Sequence, residues 1–157
     1  MGIRLKRLPE HDINLELCSG TITAEEALRY WQELTPADAR VWLTYFYPSA
    51  DLSGWDVASL PKLKRLVAAQ QKVVFGDKQV TPAVVCRSSL SEAFLDFWTA
   101  YAASGDMHPS KPMVFSSLEE ACDGLGLSDA ARAAVEQEIH REDPITPDAS
   151  QSARYRS

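Results

Sequence analysis

The residues best suited to chemistry lie in a polar turn that follows an aromatic run. Val41–Tyr47 is rich in aromatic and β-branched residues, and the turn after it contains Asp51, Ser53 and Gly54. A serine near an aspartate could act as a nucleophile, but nucleophilic catalysis needs a base within reach. The chain has no Gly-x-Ser-x-Gly elbow, and turn hydrogen bonding explains Asp51 and Ser53 better. We therefore predict no catalytic residue and no enzymatic activity.

Other residue types that form sites are scattered along the chain. The three histidines have neither His-x-x-His nor His-Glu-x-x-His spacing, so no metal site is predicted. The three cysteines are widely spaced, which is typical of reduced, buried thiols rather than of a disulfide framework or a zinc motif. Glycines are isolated, so a phosphate loop is not expected. We expect no cofactor.

Composition indicates one globular domain with a formal net charge of -6 over 157 residues. An acidic chain is a poor non-specific ligand for nucleic acid, because such binding depends on neutralising phosphates. No apolar run follows the basic N-terminus, and the longest such run is far shorter than the roughly 20 residues that cross a bilayer. The sequence therefore predicts a cytoplasmic protein without nucleic-acid or membrane partners.

Two features near the polar turn could bind a partner or a ligand. Tyr47 and Trp55 flank the turn and could rim a shallow pocket for a small apolar ligand. The following helix carries the main local cluster of positive charge, which includes Lys62 and Arg65. A solvated helix face is the default interpretation of that cluster, and a surface for an acidic partner is the alternative.

The N-terminal segment reads as an antiparallel hairpin. Residues 3–6 and 13–17 alternate apolar with polar side chains, as half-exposed strands do. The hairpin should lie at one edge of a sheet. Its polar face is predicted to carry Arg4, Lys6, Asn14 and Glu16.

Helices and further strands should then alternate. Capping boxes begin at Thr23, Ser89 and Ser117, where a hydroxyl can accept a hydrogen bond from a helical amide. A cap at Ser59 is preferred for the second helix, because Pro61 then falls in its first turn. Further strands are predicted at 41–47, 83–86 and 112–115. The C-terminal helix, 128–142, should pack on its own domain through Ala131, Val135 and Ile139.

This order, with three short stretches of sequence, resembles the STAS fold. The stretches are 20–26, the turn Asp51-Leu52-Ser53-Gly54, and 114–121. They are similar to a group of small bacterial proteins related to the anti-sigma-factor antagonists. The resemblance implies an N-terminal hairpin, a mostly parallel sheet and crossover helices. In the antagonists a serine in this turn accepts phosphate, but that position matches Leu52 here, and Ser53 matches the second serine.

Together these patterns predict a single STAS-like α/β domain at 1–143 and a disordered tail at 144–157. We expect a non-enzymatic regulatory or protein-interaction module that docks an unidentified protein through the turn 48–59 and the start of the next helix. The alternative is a carrier or sensor for a small apolar ligand, and the sequence leaves a homodimer open. Candidate binding residues are Tyr47, Asp51, Ser53, Gly54, Trp55, Lys62 and Arg65.

Overall fold

The structure, a computed structural model, describes residues 2–34, 39–52, 80–86 and 113–142, and the single positions 65, 69 and 73. Within these ranges the strands are β1 (Ile3–Leu8), β2 (Ile13–Cys18), β3 (Val41–Phe46), β4 (Thr81–Val85) and β5 (Met113–Phe115). The helices whose bounds are described are α1 (Ala24–Glu33), α2 (Leu118–Gly124) and α3 (Asp129–Arg141).

The five strands form one mixed sheet in the order β1-β2-β3-β4-β5. β1 pairs antiparallel with β2, and every later neighbour pairs parallel. The aromatic run is therefore the central strand, as its lack of polar alternation predicted. The sheet confirms the prediction of an α/β fold in which an N-terminal hairpin is followed by parallel strands.

Both faces of β2 are covered, because all six of its residues are buried. On one face its apolar side chains pack against α3, and we call this the α3 face. On the other face Cys18 packs against Ala27 of α1, and we call this the α1 face. Because strand side chains alternate, Asn14 and Glu16 share the α1 face with Cys18.

The predicted polar face of the hairpin is wrong. Arg4 pairs with Leu17 in the β1–β2 register, so Arg4 and Lys6 lie on the α3 face. Asn14 and Glu16 lie on the opposite face, where they are only 0% and 7% exposed. The error arises because β2 is an interior strand with two covered faces, whereas period-two alternation is usually the pattern of a strand with one face in water.

Helix α3 packs on the sheet through the stripe that the sequence predicted. Ala131, Val135 and Ile139 are buried and join Leu15 and Leu43 in the largest apolar cluster of the described residues. Burying one large aliphatic side chain stabilises a fold by roughly 1.5–3 kcal/mol. The stripe is thus covered by the domain itself.

Polar contacts fix the end of α3 against the sheet. The Tyr47 hydroxyl, just past β3, donates a 2.5 Å hydrogen bond to the Ile139 carbonyl. Glu142 forms ion pairs with Arg4 at 2.5 Å and Lys6 at 3.0 Å. The hydrogen bond from Lys6 and the neighbouring positive charges lower the pKa of Glu142. The C-terminal helix is therefore joined to both β1 and β3.

Two of the predicted capping boxes lie in described segments, and each is half formed. The Thr23 hydroxyl accepts a hydrogen bond from the Glu26 amide at 3.0 Å, and the Ser117 hydroxyl accepts one from the Glu120 amide at 3.1 Å. The Glu26 carboxylate instead accepts a 2.7 Å bond from the amide of Gly2. The cap of α1 therefore also holds the start of β1.

The predicted helices that begin near Ser59 and Ser89, and the tail 144–157, lie outside the described residues except at three positions. Arg65, Ala69 and Val73 are each helical and exposed. None of the described helices is long and apolar enough to cross a membrane.

Replacing Tyr47 with phenylalanine tests the contact between β3 and α3. Tyr47→Phe removes one buried hydrogen bond and leaves the Ile139 carbonyl without its donor, so we expect a loss of about 1–2 kcal/mol in the free energy of unfolding. Urea denaturation measures the change, and an unchanged slope against urea shows that the folded state keeps its compactness. An unchanged midpoint would contradict the contact.

Candidate functional site

The loops that follow β2 and β3 are joined to each other by backbone hydrogen bonds. The Tyr47 amide donates to the Cys18 carbonyl at 2.9 Å, which continues the parallel ladder past the strand ends. The Asp51 amide then donates to the Gly20 carbonyl at 2.8 Å, and the Ile22 amide donates to the Asp51 carbonyl at 2.9 Å. We call the paired segments 19–22 and 47–52 the strand-end loops.

Gly20 allows the first of these loops to turn. Its φ of +65° lies in the left-handed region, which glycine enters without the cost that other residues incur. In this conformation its carbonyl receives the Asp51 amide, and its own amide donates to the Ser49 hydroxyl at 3.2 Å. Both polar groups of one glycine therefore hold the second loop in place.

Apolar side chains anchor the strand-end loops from below. Ile22 and Ala50 are buried, at 1% and 0% exposure. Half-buried Leu52 packs between the cluster around Cys18 and the cluster around Val84. Thr21 and Asp51, which also form a parallel bridge, are exposed. The arrangement presents a hydroxyl and a carboxylate to solvent from a backbone with little freedom to move.

The predicted site residues fall into three groups. Asp51 is exposed on the strand-end loops, and Arg65 is exposed on a helix. Tyr47 is 1% exposed. Outside the described residues lie Ser53, Gly54, Trp55 and Lys62.

The position of Tyr47 does not match its predicted place at the rim of a pocket. Its ring packs in the cluster on the α3 face and meets the Tyr45 ring edge to face, with centroids 5.1 Å apart. Its hydroxyl is used by Ile139. A phenol at the end of a strand can turn inward when a helix offers a carbonyl acceptor, and the sequence alone does not reveal that acceptor.

A second polar group, which the sequence did not indicate as a site, lies buried on the α1 face. The parallel register places Asn14 beside Trp42 and Glu16 beside Thr44. The Thr44 hydroxyl donates to Glu16 Oε1 at 3.0 Å. The buried Tyr30 hydroxyl, from α1, faces the same carboxylate outside normal hydrogen-bond geometry. We call Asn14, Glu16, Tyr30 and Thr44 the buried polar cluster.

Negative charge is disfavoured throughout this cluster. Burial raises the pKa of Glu16, although the neighbouring Tyr30, Thr44 and Trp42 side chains oppose the shift. Burial also raises the pKa of Tyr30, and the charge of Glu16 raises it further. The neighbouring Cys18 thiol has its pKa raised well above its ordinary range by the same two causes. The α1 face therefore disfavours ionised acidic groups, although the charge of Arg7, opposite Asn14 in the β1–β2 register, opposes the shift at Tyr30.

The cluster was missed because the polar residues of β2 were assigned to solvent. These residues can be recognised as buried only once β2 is known to lie between β1 and β3. An interior strand places its carboxyl and carboxamide side chains under a helix. Buried glutamate is rare unless it is paired. A buried glutamate and a buried asparagine, two positions apart on one strand, are therefore a feature that requires a physical explanation.

A cleft of about 610 Å³ opens at the other end of the strands from the strand-end loops, between the hairpin turn and the start of α3. The Asp12 and Arg40 side chains in its lining form an ion pair at 2.8 Å. The Ser128 hydroxyl, also in the lining, already caps α3 by accepting the Ala131 amide at 3.1 Å. The side chains of Asp12, Arg40 and Ser128 are thus used by the fold itself.

Within the described ranges, no three side chains of His, Cys, Asp and Glu converge to form a metal site. The chain matches no protein-family model, and no similar curated protein is found. The STAS resemblance therefore remains a prediction.

The raised pKa of Glu16 predicts a definite pH dependence of stability. A carboxyl whose pKa is higher in the folded state contributes fully below the unfolded value of about 4.3 and loses that contribution as pH rises through the folded value. The unfolding free energy of the wild type should therefore fall relative to that of Glu16→Gln as pH rises above about 4. Urea denaturation over a pH series measures the difference.

Glu33→Gln is the matched control for this measurement, because Glu33 is exposed on α1. Its curve should run parallel to that of the wild type. Parallel curves for Glu16→Gln as well would show that Glu16 does not carry the predicted shift.

Proposed function

We propose that this chain is a non-enzymatic, cytoplasmic regulatory module of STAS type that docks a protein partner through its strand-end loops and the start of the helix that follows. The observation that carries the proposal is the backbone ladder between Gly20, Ile22 and Asp51. A surface that is already ordered loses less conformational entropy when it binds. The loops are therefore suited to recognition by shape and charge.

Exposed charges of both signs support a polar docking surface. Asp51 is exposed on the strand-end loops, and Arg65 is exposed at a helical position that follows them in the chain. Charge complementarity contributes more to specificity and association rate than to affinity. We expect a partner that presents a basic group to Asp51 and an acidic group to Arg65.

The sheet order supports the proposed STAS relationship, since that fold also begins with a hairpin and continues with parallel strands. A phosphate switch at the position matching the antagonists' acceptor does not fit this chain. Leu52 has no hydroxyl and packs between two apolar clusters. Regulation by docking alone fits this position better than regulation by phosphorylation.

Photo-crosslinking in the cells that produce the protein tests the proposed surface. A photoreactive phenylalanine analogue is placed at position 51, at position 65, or at position 10 as the control. Glu10 is also an exposed acid, but it lies in the turn that follows β1, at the other end of the strands from the strand-end loops. We expect positions 51 and 65 to give an adduct with the same protein, and position 10 to give none.

Charge reversal adds a quantitative test on the same adduct. Arg65→Glu should lower the crosslinking yield from position 51 by up to roughly fivefold, the effect of one exposed charge pair. Glu10→Lys should leave the yield unchanged. Equal crosslinking yields from positions 10 and 51, or no adduct from position 51, would overturn the proposed surface.

A further inference from the structure

We infer that the buried polar cluster is a binding site for the primary ammonium group of a small organic amine. This site lies on the α1 face of β2 and β3 and shares no residue with the strand-end loops. The inference does not rest on the proposed docking function, and either can fail without the other.

Unpaired polar atoms are the first observation behind this inference. Both polar atoms of the Asn14 carboxamide, Glu16 Oε2 and the Tyr30 hydroxyl are buried without a hydrogen-bond partner. Asn14 is 0% exposed and Glu16 is 7% exposed. Folded proteins pair more than about 90% of their buried polar groups. Four such atoms from three side chains on one face of the sheet indicate that something else completes their hydrogen bonds.

The kinds of orphaned atoms indicate the chemistry of the missing group. Glu16 Oε2, Asn14 Oδ1 and the Tyr30 oxygen can each accept a hydrogen bond. A primary ammonium offers three N–H donors from one atom. It therefore offers one donor for each of these three oxygens, whereas a hydroxyl has one proton to donate.

Charge points to the same group. Burial disfavours the ionised form of Glu16, and no cationic side chain of the described residues forms an ion pair with it. Removing one member of a buried ion pair is costly because the other charge remains uncompensated. A cationic ligand would supply the charge that the carboxylate lacks.

Aromatic rings beside the cluster provide a surface for such a ligand. Trp31 stacks on Trp42 with centroids 5.6 Å apart, and Tyr30 meets Trp31 edge to face at 6.2 Å. Aromatic faces attract cations through their quadrupole. They also accept the apolar carbons of an alkylamine. An oxygen-coordinated metal ion would use the oxygens but has no apolar carbons for the rings to contact.

Titration of the full chain with n-butylamine, which is an ammonium ion at pH 7, tests the site. The readouts are the carboxyl carbon of Glu16 and the side-chain amide of Asn14, followed by NMR. We expect saturable shifts of both signals. n-Butanol, which has no charge, should give none, and tetramethylammonium, which has a charge but no N–H donor, should bind at least about tenfold more weakly.

Variants assign the response to the cluster. Glu16→Gln should weaken butylammonium binding at least about tenfold, followed on the Asn14 signal, because the ammonium then loses its charged acceptor. Tyr30→Phe removes only one orphaned oxygen and should weaken butylammonium binding roughly two- to tenfold. It provides the test if the Glu16→Gln protein does not fold. Glu33→Gln removes an exposed charge from α1 and should change nothing.

Three outcomes would overturn the inference. The first is no saturable shift with butylammonium, as expected of a cluster that is only hydrated. The second is equal binding by n-butanol or by the Glu16→Gln protein. The third is the same saturable shift with potassium or magnesium ions and none with the amine.

Discussion

The parallel pairing of β2 with β3 is the constraint on which the rest of the structure depends. Its register runs from Ile13 opposite Val41 to Cys18 opposite Phe46. The ladder then continues past both strands, through the Tyr47 amide and on to Asp51. One set of backbone bonds thus fixes a core, a buried polar cluster and an exposed pair of loops.

Each consequence follows from side-chain alternation along these two strands. Odd-numbered positions such as Leu15 and Leu43 face α3 and form the main apolar core. Even-numbered positions place Glu16 beside Thr44 on the α1 face. A slip of one residue would exchange the two sets, which would bring a carboxylate under α3 and remove the core. The apolar face therefore enforces the register that brings the polar groups together.

The sequence predicted those parts of the fold that are determined by local pattern. The aromatic run indicated a central strand, Thr23 and Ser117 indicated helix starts, and the spacing of Ala131, Val135 and Ile139 indicated the buried side of the last helix. It did not predict the environment of Glu16 or of Tyr47. Alternation gives the side of a strand on which a residue lies, but whether that side is exposed to solvent depends on which elements cover it. The Ile139 carbonyl that receives the Tyr47 hydroxyl is 92 residues away in the chain.

Hydrogen exchange at the amides of Asp51 and Ile22 tests the central claim most directly. Both amides lie outside the regular strands and both donate to carbonyls across the strand-end loops. If the β2–β3 pairing extends into these loops, the two amides should exchange about as slowly as amides within β3, because opening them requires the same cooperative unfolding. Exchange at the rate of unprotected loop amides, with β3 still protected, would contradict the account.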